Sequence, residues 1–170
     1  FFAALTAVGS WIAIPLPFTP VPVALASMVP SLAGALLGGK YGALSMAVYA
    51  LLGAAGVPVF HNFTAGPGIL AGPTGGYIAG YIASAFLCGL LLEGPFRKKA
   101  GSFWVPAISM ALGLGACYLL GSLWFMYSTG TGLVPTLVLC VFPFLPGDVL
   151  KTAAAVLLFR RLRPVLQKRL

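Results

Sequence analysis

The chain has 170 residues, 60% of them hydrophobic and 7% charged, with a formal net charge of +8 and a mean hydropathy of +1.04. A soluble domain carries about 25% charged residues, so this composition cannot cover a water-facing surface and excludes a soluble globular protein. The excess positive charge does not indicate a nucleic-acid binder either. The basic residues form no stripe interleaved with aromatics but gather at the ends of apolar runs, at Arg97, Lys98 and Lys99 and at Arg160, Arg161, Arg163, Lys168 and Arg169, as orientation signals of membrane proteins do.

The pattern predicts an all-α integral membrane protein with six transmembrane helices, forming a single membrane domain over residues 1–170. The first apolar segment covers 1–14; it opens at Phe1 without an initiator Met, so further residues are expected to precede it, and no cleavable signal peptide is evident. It ends at "IPLPFTPVPV", where Pro15, Pro17, Pro20 and Pro22 forbid helix. Segments 24–37 and 41–55 follow, both short against the roughly 20 residues a span needs, so they are expected either to borrow loop residues or to be shielded by neighbours. After the Gly/Pro-rich "GVPVFHNFTAGPGILAGPTGG" come segments 77–92 and 103–125. The stretch "LVPTLVLCVFPFLP" is apolar but reads as broken by Pro135, Pro143 and Pro146, and the last segment is 147–159.

With the N-terminus inside, the inner connections hold Lys40 and residues 97–99, and the C-terminal tail holds the remaining basic cluster. Every Lys and Arg except Lys151 then lies inside, and the outer loops at 15–23, 56–76 and 125–133 have none. The positive-inside rule thus predicts two cytoplasmic termini, in a multi-pass protein of a prokaryotic plasma membrane in contact with lipid. Asp148 lies twelve residues before Arg160, about 18 Å along a helix. That is beyond the midplane of a core about 30 Å thick and close to irregular outer loops that are expected to cap a pocket.

Gly34–Gly38, Gly76–Gly80 and Ala3–Ala7 have small-xxx-small spacing, which suits close helix packing. Trp11, Trp104, Trp124 and Tyr127 are expected at span ends as interfacial anchors. Cys88, Cys117 and Cys140 are isolated in apolar runs and read as packing residues, not as metal or disulfide groups.

Enzyme motifs are missing from the sequence. It has no Walker A loop and no HExxH; the single histidine, His61, is in a loop, and one of the two carboxylates, Glu93, stands at an inner helix end. A Ser–His–Asp triad would have to gather His61, Asp148 and a serine from distant places. No catalytic role, metal or cofactor is expected. The other carboxylate is notable because an ionisable residue inside a span marks a functional site. Asp148 and Lys151 are three apart and share a helix face. They form either an ion pair that locks the helix in the bundle, or a cavity-facing pair in which Asp148 accepts from ligand N–H groups and Lys151 meets a ligand anion. "GPTGGY" (72–77) is the second candidate. Gly75 and Gly76 allow backbone N–H groups to approach a ligand at a helix start, Thr74 can cap or donate, and Tyr77 adds an amphipathic ring. A plain loop-to-helix cap is the competing reading. His61, Asn62 and Phe63 on the same loop could contact ligand or form a lid, but a solvated outer loop is the preferred reading.

"IPLPFTPVPV" (14–23), "GALLGGKYGALSMAVYALLGAAGVPVF" (34–60), "GPTGGYIAGYI" (72–82) and "PGDVLK" (146–151) recur in this order and spacing in the BioY family, which the chain therefore resembles. These are biotin-specific substrate-binding subunits, or S components, of energy-coupling factor (ECF) transporters. The resemblance implies a six-helix fold with a biotin pocket near the outer face, lined by Asp148 and Lys151 and bordered by Thr74, Gly75, Gly76 and Tyr77. It further implies that Ala3 and Ala7 meet a membrane coupling protein, which works with two ATP-binding-cassette ATPases. Two departures stand out. Ala24 and Ala26 replace the family's Thr and Gln in "FTPVPVT-L-Q-T", and the loop "HNFTAGPG" differs from the usual "AGGSGG" type. A subunit for another small anionic vitamin, or a structural or enzymatic bundle subunit, are the alternatives.

Overall fold

The computed structural model describes residues 1–14, 16–19, 21–97 and 102–167. Pro15, Pro20, Lys98, Lys99, Lys168 and Arg169 lie outside the described residues. Eight α-helices run through the described residues: α1 (Phe2–Trp11), α2 (Met28–Leu37), α3 (Gly39–Ala54), α4 (Pro67–Ala71), α5 (Gly75–Glu93), α6 (Trp104–Thr129), α7 (Leu133–Cys140) and α8 (Leu145–Gln167). Two short strands, β1 (Ala13–Ile14) and β2 (Val23–Ala24), pair antiparallel with Ala13 opposite Ala24. A 3-10 turn over Leu25–Ser27 leads from β2 into α2, and a second covers His61–Phe63.

Each of the six expected segments contains one of the longer helices, but several boundaries move. The first segment stops being helical at Trp11, and its last two residues form β1. The second starts as strand and 3-10 turn, so α2 keeps only 10 residues. The last begins two residues earlier than expected and runs on past the basic cluster at 160–163.

Two stretches expected to be irregular hold helices. α4 lies in the long Gly/Pro-rich loop, and α7 occupies much of "LVPTLVLCVFPFLP". The reason is where their prolines stand. The first N–H groups of a helix have no intrahelical partner, so a proline there removes nothing. Pro30, Pro67, Pro106, Pro135 and Pro146 all occupy first-turn positions. Pro164 is the exception, well inside α8.

By length and apolar character α5 and α6 can each cross a membrane, and α7 with α8 (Leu133–Cys140 and Leu145–Val165) makes a third candidate bent by 54°. α5 is the hub, packed against α6, α3 and α2. Glycines allow these approaches. A Cβ on Gly34 would stand 2.0 Å from the Ala85 carbonyl oxygen, and one on Gly80 would stand 2.9 Å from Cys117 Cα. Gly38 departs from its expected packing role: at φ +87° it makes the turn between α2 and α3. There Glu93 reaches across from the end of α5 and accepts a hydrogen bond from Gly39 N at 3.0 Å.

Overpacking a fitted interface costs about 1–3 kcal/mol, so Gly34→Ala is expected to lower the unfolding midpoint in detergent by at least that equivalent. Gly115→Ala, in open space within α6, is expected to hold or raise the midpoint, since alanine is the better helix former by about 1 kcal/mol.

Candidate functional site

Three pieces of chain converge on the start of α8. "PG" places Asp148 in the first turn, where its N–H still reaches Phe144 O at 2.9 Å. Lys151 follows one turn later on the same face, and its Nζ stands 2.9 Å from Asp148 Oδ1. The segment from β1 to the first 3-10 turn supplies the next partners. Pairing with β1 holds Ala24, whose carbonyl accepts from Lys151 Nζ at 2.8 Å. Ser27 Oγ accepts from the same ammonium at 3.2 Å and donates to Asp148 Oδ1 at 3.1 Å. From α6, the Tyr118 hydroxyl donates to Asp148 Oδ2. Asp148 is 4% exposed. A charge at this depth is held by a matching charge and hydroxyl groups, as buried ionised groups require.

The network forms one wall of a cavity that Tyr77, Tyr81, Pro22 and Phe144 also line. On a scale where one water needs roughly 10–15 Å³, this cavity offers about 60 Å³. A second cavity of about 50 Å³ adjoins it, sharing Tyr77 and Tyr81 and extending to Ser10, Tyr49, His61 and Thr74. A third space of about 10 Å³ lies beyond Lys151, lined by Ser31, Met110 and Thr152. Tyr77 and Tyr81, one helical turn apart, line both larger spaces, the first of which also has the charged pair and the second Tyr49, Phe60 and His61.

The candidate residues fall into groups. Asp148, Lys151 and Tyr77 meet at the first cavity, and Thr74 with Tyr77 at the second. Gly75 and Gly76 line neither: a Cβ on Gly75 would stand 1.8 Å from Leu70 O, and one on Gly76 would stand 2.2 Å from Trp124 Cβ. Their missing side chains let the loop and α6 close on the start of α5, and Gly75 N–H is already bonded to Gly72 O at 3.1 Å. Ala3 and Ala7 line neither cavity, although Ala7 packs behind residues that line the second. Ala7 is 5% exposed and packs inside the chain with Tyr49, Phe60 and Ile78, while Ala3 is partly buried beside it.

The Gly/Pro-rich loop between α3 and α5 is more tightly held than its composition suggested. His61 lines the second cavity, while Phe63 stacks on Trp11 with centroids 4.9 Å apart. Trp11 Nε1 donates to Pro58 O at 2.9 Å, and Trp124 Nε1 to Gly72 O at 2.9 Å. Both indoles therefore tie loops to helices. Trp104 and Tyr127 are largely exposed.

Sequence reasoning passed over Tyr118, Ser27, Tyr81 and the Ala24 carbonyl. A tyrosine in the middle of the long apolar α6 was the available signal for the first. Tyr77 and Tyr81 at i, i+4 spacing was the signal for the third. A main-chain acceptor leaves no signal in residue type.

Comparison with known proteins adds a second line. A family model described as the BioY family matches residues 1–168. The chain is 50% identical over 120 residues to "Biotin transporter BioY" of Thermotoga maritima, covering 71% of this chain and 67% of that protein. It is 37% identical over 162 residues to "Probable biotin transporter BioY" of Pyrococcus horikoshii, covering 95% and 91%. A solved structure described as the S-component for biotin from an ECF-type ABC transporter matches with a TM-score of 0.88 and 31% identity, over 96% of this chain and 87% of that one.

Burial pushes the His61 imidazole below its ordinary value of 6.5. A lowered folded-state value favours the neutral ring, so its contribution to stability is complete above about pH 6.5 and declines as pH falls toward the folded value. The unfolding midpoint is expected to drop on acidification from about pH 7 to about pH 5, and His61→Gln to flatten that part of the profile.

Proposed function

Because the chain belongs to the BioY family, we propose that it is a biotin-binding membrane subunit of an ECF-type uptake transporter. It takes biotin from the outer face and delivers it inward with an ATP-driven coupling module. Proteins of this family are transporter S components, not enzymes, and biotin is the transported ligand rather than a cofactor. The observation that carries the reading is the buried Asp148–Lys151 pair in the wall of a cavity. Biotin has N–H donors on its ureido ring, an apolar body and an anionic tail, so a site for it needs an acceptor, apolar walls and a cation. The hollow between α5, α6 and α8 has all three.

In this reading the six longer helices cross a prokaryotic plasma membrane as one domain, with both termini cytoplasmic. Lys40, Arg97 and Arg160–Arg163 face the inside, and the irregular loops cap the hollow from outside. Asp148, Lys151, Thr74 and Tyr77 contact the ligand directly, and Gly75 and Gly76 act by letting the pocket wall close. The chain brings no ATPase, so transport requires a membrane coupling protein and two ATP-binding-cassette ATPases. Ala3 is the more accessible of the two alanines for the coupling protein, since Ala7 is engaged within the chain. Lipid surrounds the bundle, and nucleic acid has no part.

One observation favours a second role for the charged pair. Lys151 has three acceptors for its three N–H groups, so the pair also locks α8 to the strand segment and must loosen its internal contacts for the ammonium to meet a ligand anion.

Asp148→Asn and Lys151→Ala are each expected to weaken biotin binding at least tenfold, about 1.4 kcal/mol, while the bundle stays folded. Titration of the purified variants with labelled biotin measures this, and unchanged affinity in both removes the pair from the site. Thermal stabilisation across a panel of vitamins is expected for biotin alone. Stabilisation by another anionic vitamin would reassign the substrate, and loss of assembly in both variants without any vitamin response would leave the pair as a lock only.

A further inference from the structure

The hydrogen-bond capacity around Asp148 is nearly used up, and what remains lies on one atom. Lys151 has three N–H donors, and they meet Ala24 O at 2.8 Å, Asp148 Oδ1 at 2.9 Å and Ser27 Oγ at 3.2 Å. The Ser27 hydrogen has its shorter path to Asp148 Oδ1, at 3.1 Å against 3.4 Å to Ala24 O. Oδ1 therefore accepts twice, from the ammonium and from Ser27. An ionised carboxylate offers about four lone-pair sites. Among the described residues Oδ2 accepts only from Tyr118, which leaves one acceptor site, on Oδ2, at the wall of the cavity that Tyr118 and Asp148 both line.

We infer that Tyr118 is a positioning residue of the ligand site: its hydroxyl fixes the plane of the Asp148 carboxylate so that the remaining lone pair of Oδ2 is offered to an N–H donor of the ligand. The two carboxylate oxygens are held by different elements, Oδ1 by Lys151 and Ser27 and Oδ2 by Tyr118 of α6. Without the phenol Oδ2 has no partner among the described residues, and Lys151 and Ser27 hold the carboxylate by Oδ1 alone. The group can then turn about that anchored oxygen and carry the Oδ2 acceptor away from the cavity. Ser27 complements this hold, keeping a hydroxyl at the position where the family pattern has Thr.

This inference rests on the biotin-binding reading for its ligand, and two independent readouts separate the two. In a double-mutant cycle, Tyr118→Phe is expected to weaken biotin binding about fivefold or more in the native chain, and less than twofold when Asp148 is already Asn. Equal loss in both backgrounds, or no loss in the native one, overturns the inference, because the ring would then act through packing or not at all. The ligand-free readout is the carboxylate infrared stretch. The chain has only two acidic residues, so the difference spectrum of Asp148→Asn assigns the Asp148 band. Tyr118→Phe is expected to shift that band, and an unshifted band overturns the hold on Oδ2. If the native chain binds no biotin, the ligand reading falls, and the band alone decides whether Tyr118 positions Asp148.

Discussion

A carboxylate removed from water near the top of an apolar bundle keeps its charge only if an ammonium and several hydrogen-bond donors stay beside it. Insertion of a lone Asp or Lys at the centre of a span costs roughly 2.5–3.5 kcal/mol, and stripping one partner from a buried pair costs about 3–5 kcal/mol. This constraint organises the end of the molecule where α8 begins. β2 and the 3-10 turn after it bring the Ala24 carbonyl and Ser27 to Lys151; α6 passes close enough for Tyr118 to reach Asp148; and the break between α7 and α8 puts the acid in a first turn rather than in mid-helix. The polar end of the cavity is the product of three chain segments satisfying one ion pair.

The opposite end of the bundle uses the other acid differently. Glu93 closes α5 onto the start of α3 through a main-chain N–H, at the side where the positive-inside pattern puts the cytoplasm. One carboxylate thus serves helix packing and the other lines the cavity, which is an economical use of the two acids present.

The helices α5 and α6 were legible to within a few residues because each is a long apolar run, and the single proline in them, Pro106, stands so near the start of α6 that a long unbroken run follows it. α7 was not, because only a short run separates Pro135 from Pro143, so Pro135 reads as a breaker until its first-turn position is known. α8 was read too short because the charges at Arg160–Arg163 end the apolar run without ending the helix. Asp148 and Lys151 stood out because charge is rare in such a sequence, whereas Tyr118 did not, because tyrosine in an apolar helix is ordinary. Gly75 and Gly76 were noticed for the right property, a missing Cβ, but the space it opens is filled by Leu70 and Trp124 rather than left to the cavity. The family's Thr and Gln are absent at positions 24 and 26, and there too the outcome depended on which atom makes the contact.

The bond from Lys151 to Ala24 is made to a carbonyl oxygen that every amino acid possesses. The side chain at position 24 can therefore change without removing the ammonium's acceptor, provided β1 and β2 keep their register. Position 24 separates two roles that usually share one residue: the backbone carries the electrostatic hold, and the side chain, which borders both larger cavities, is left to vary the shape and polarity offered to a ligand. Exchange at such a position can retune selectivity without disturbing the charge balance beneath it.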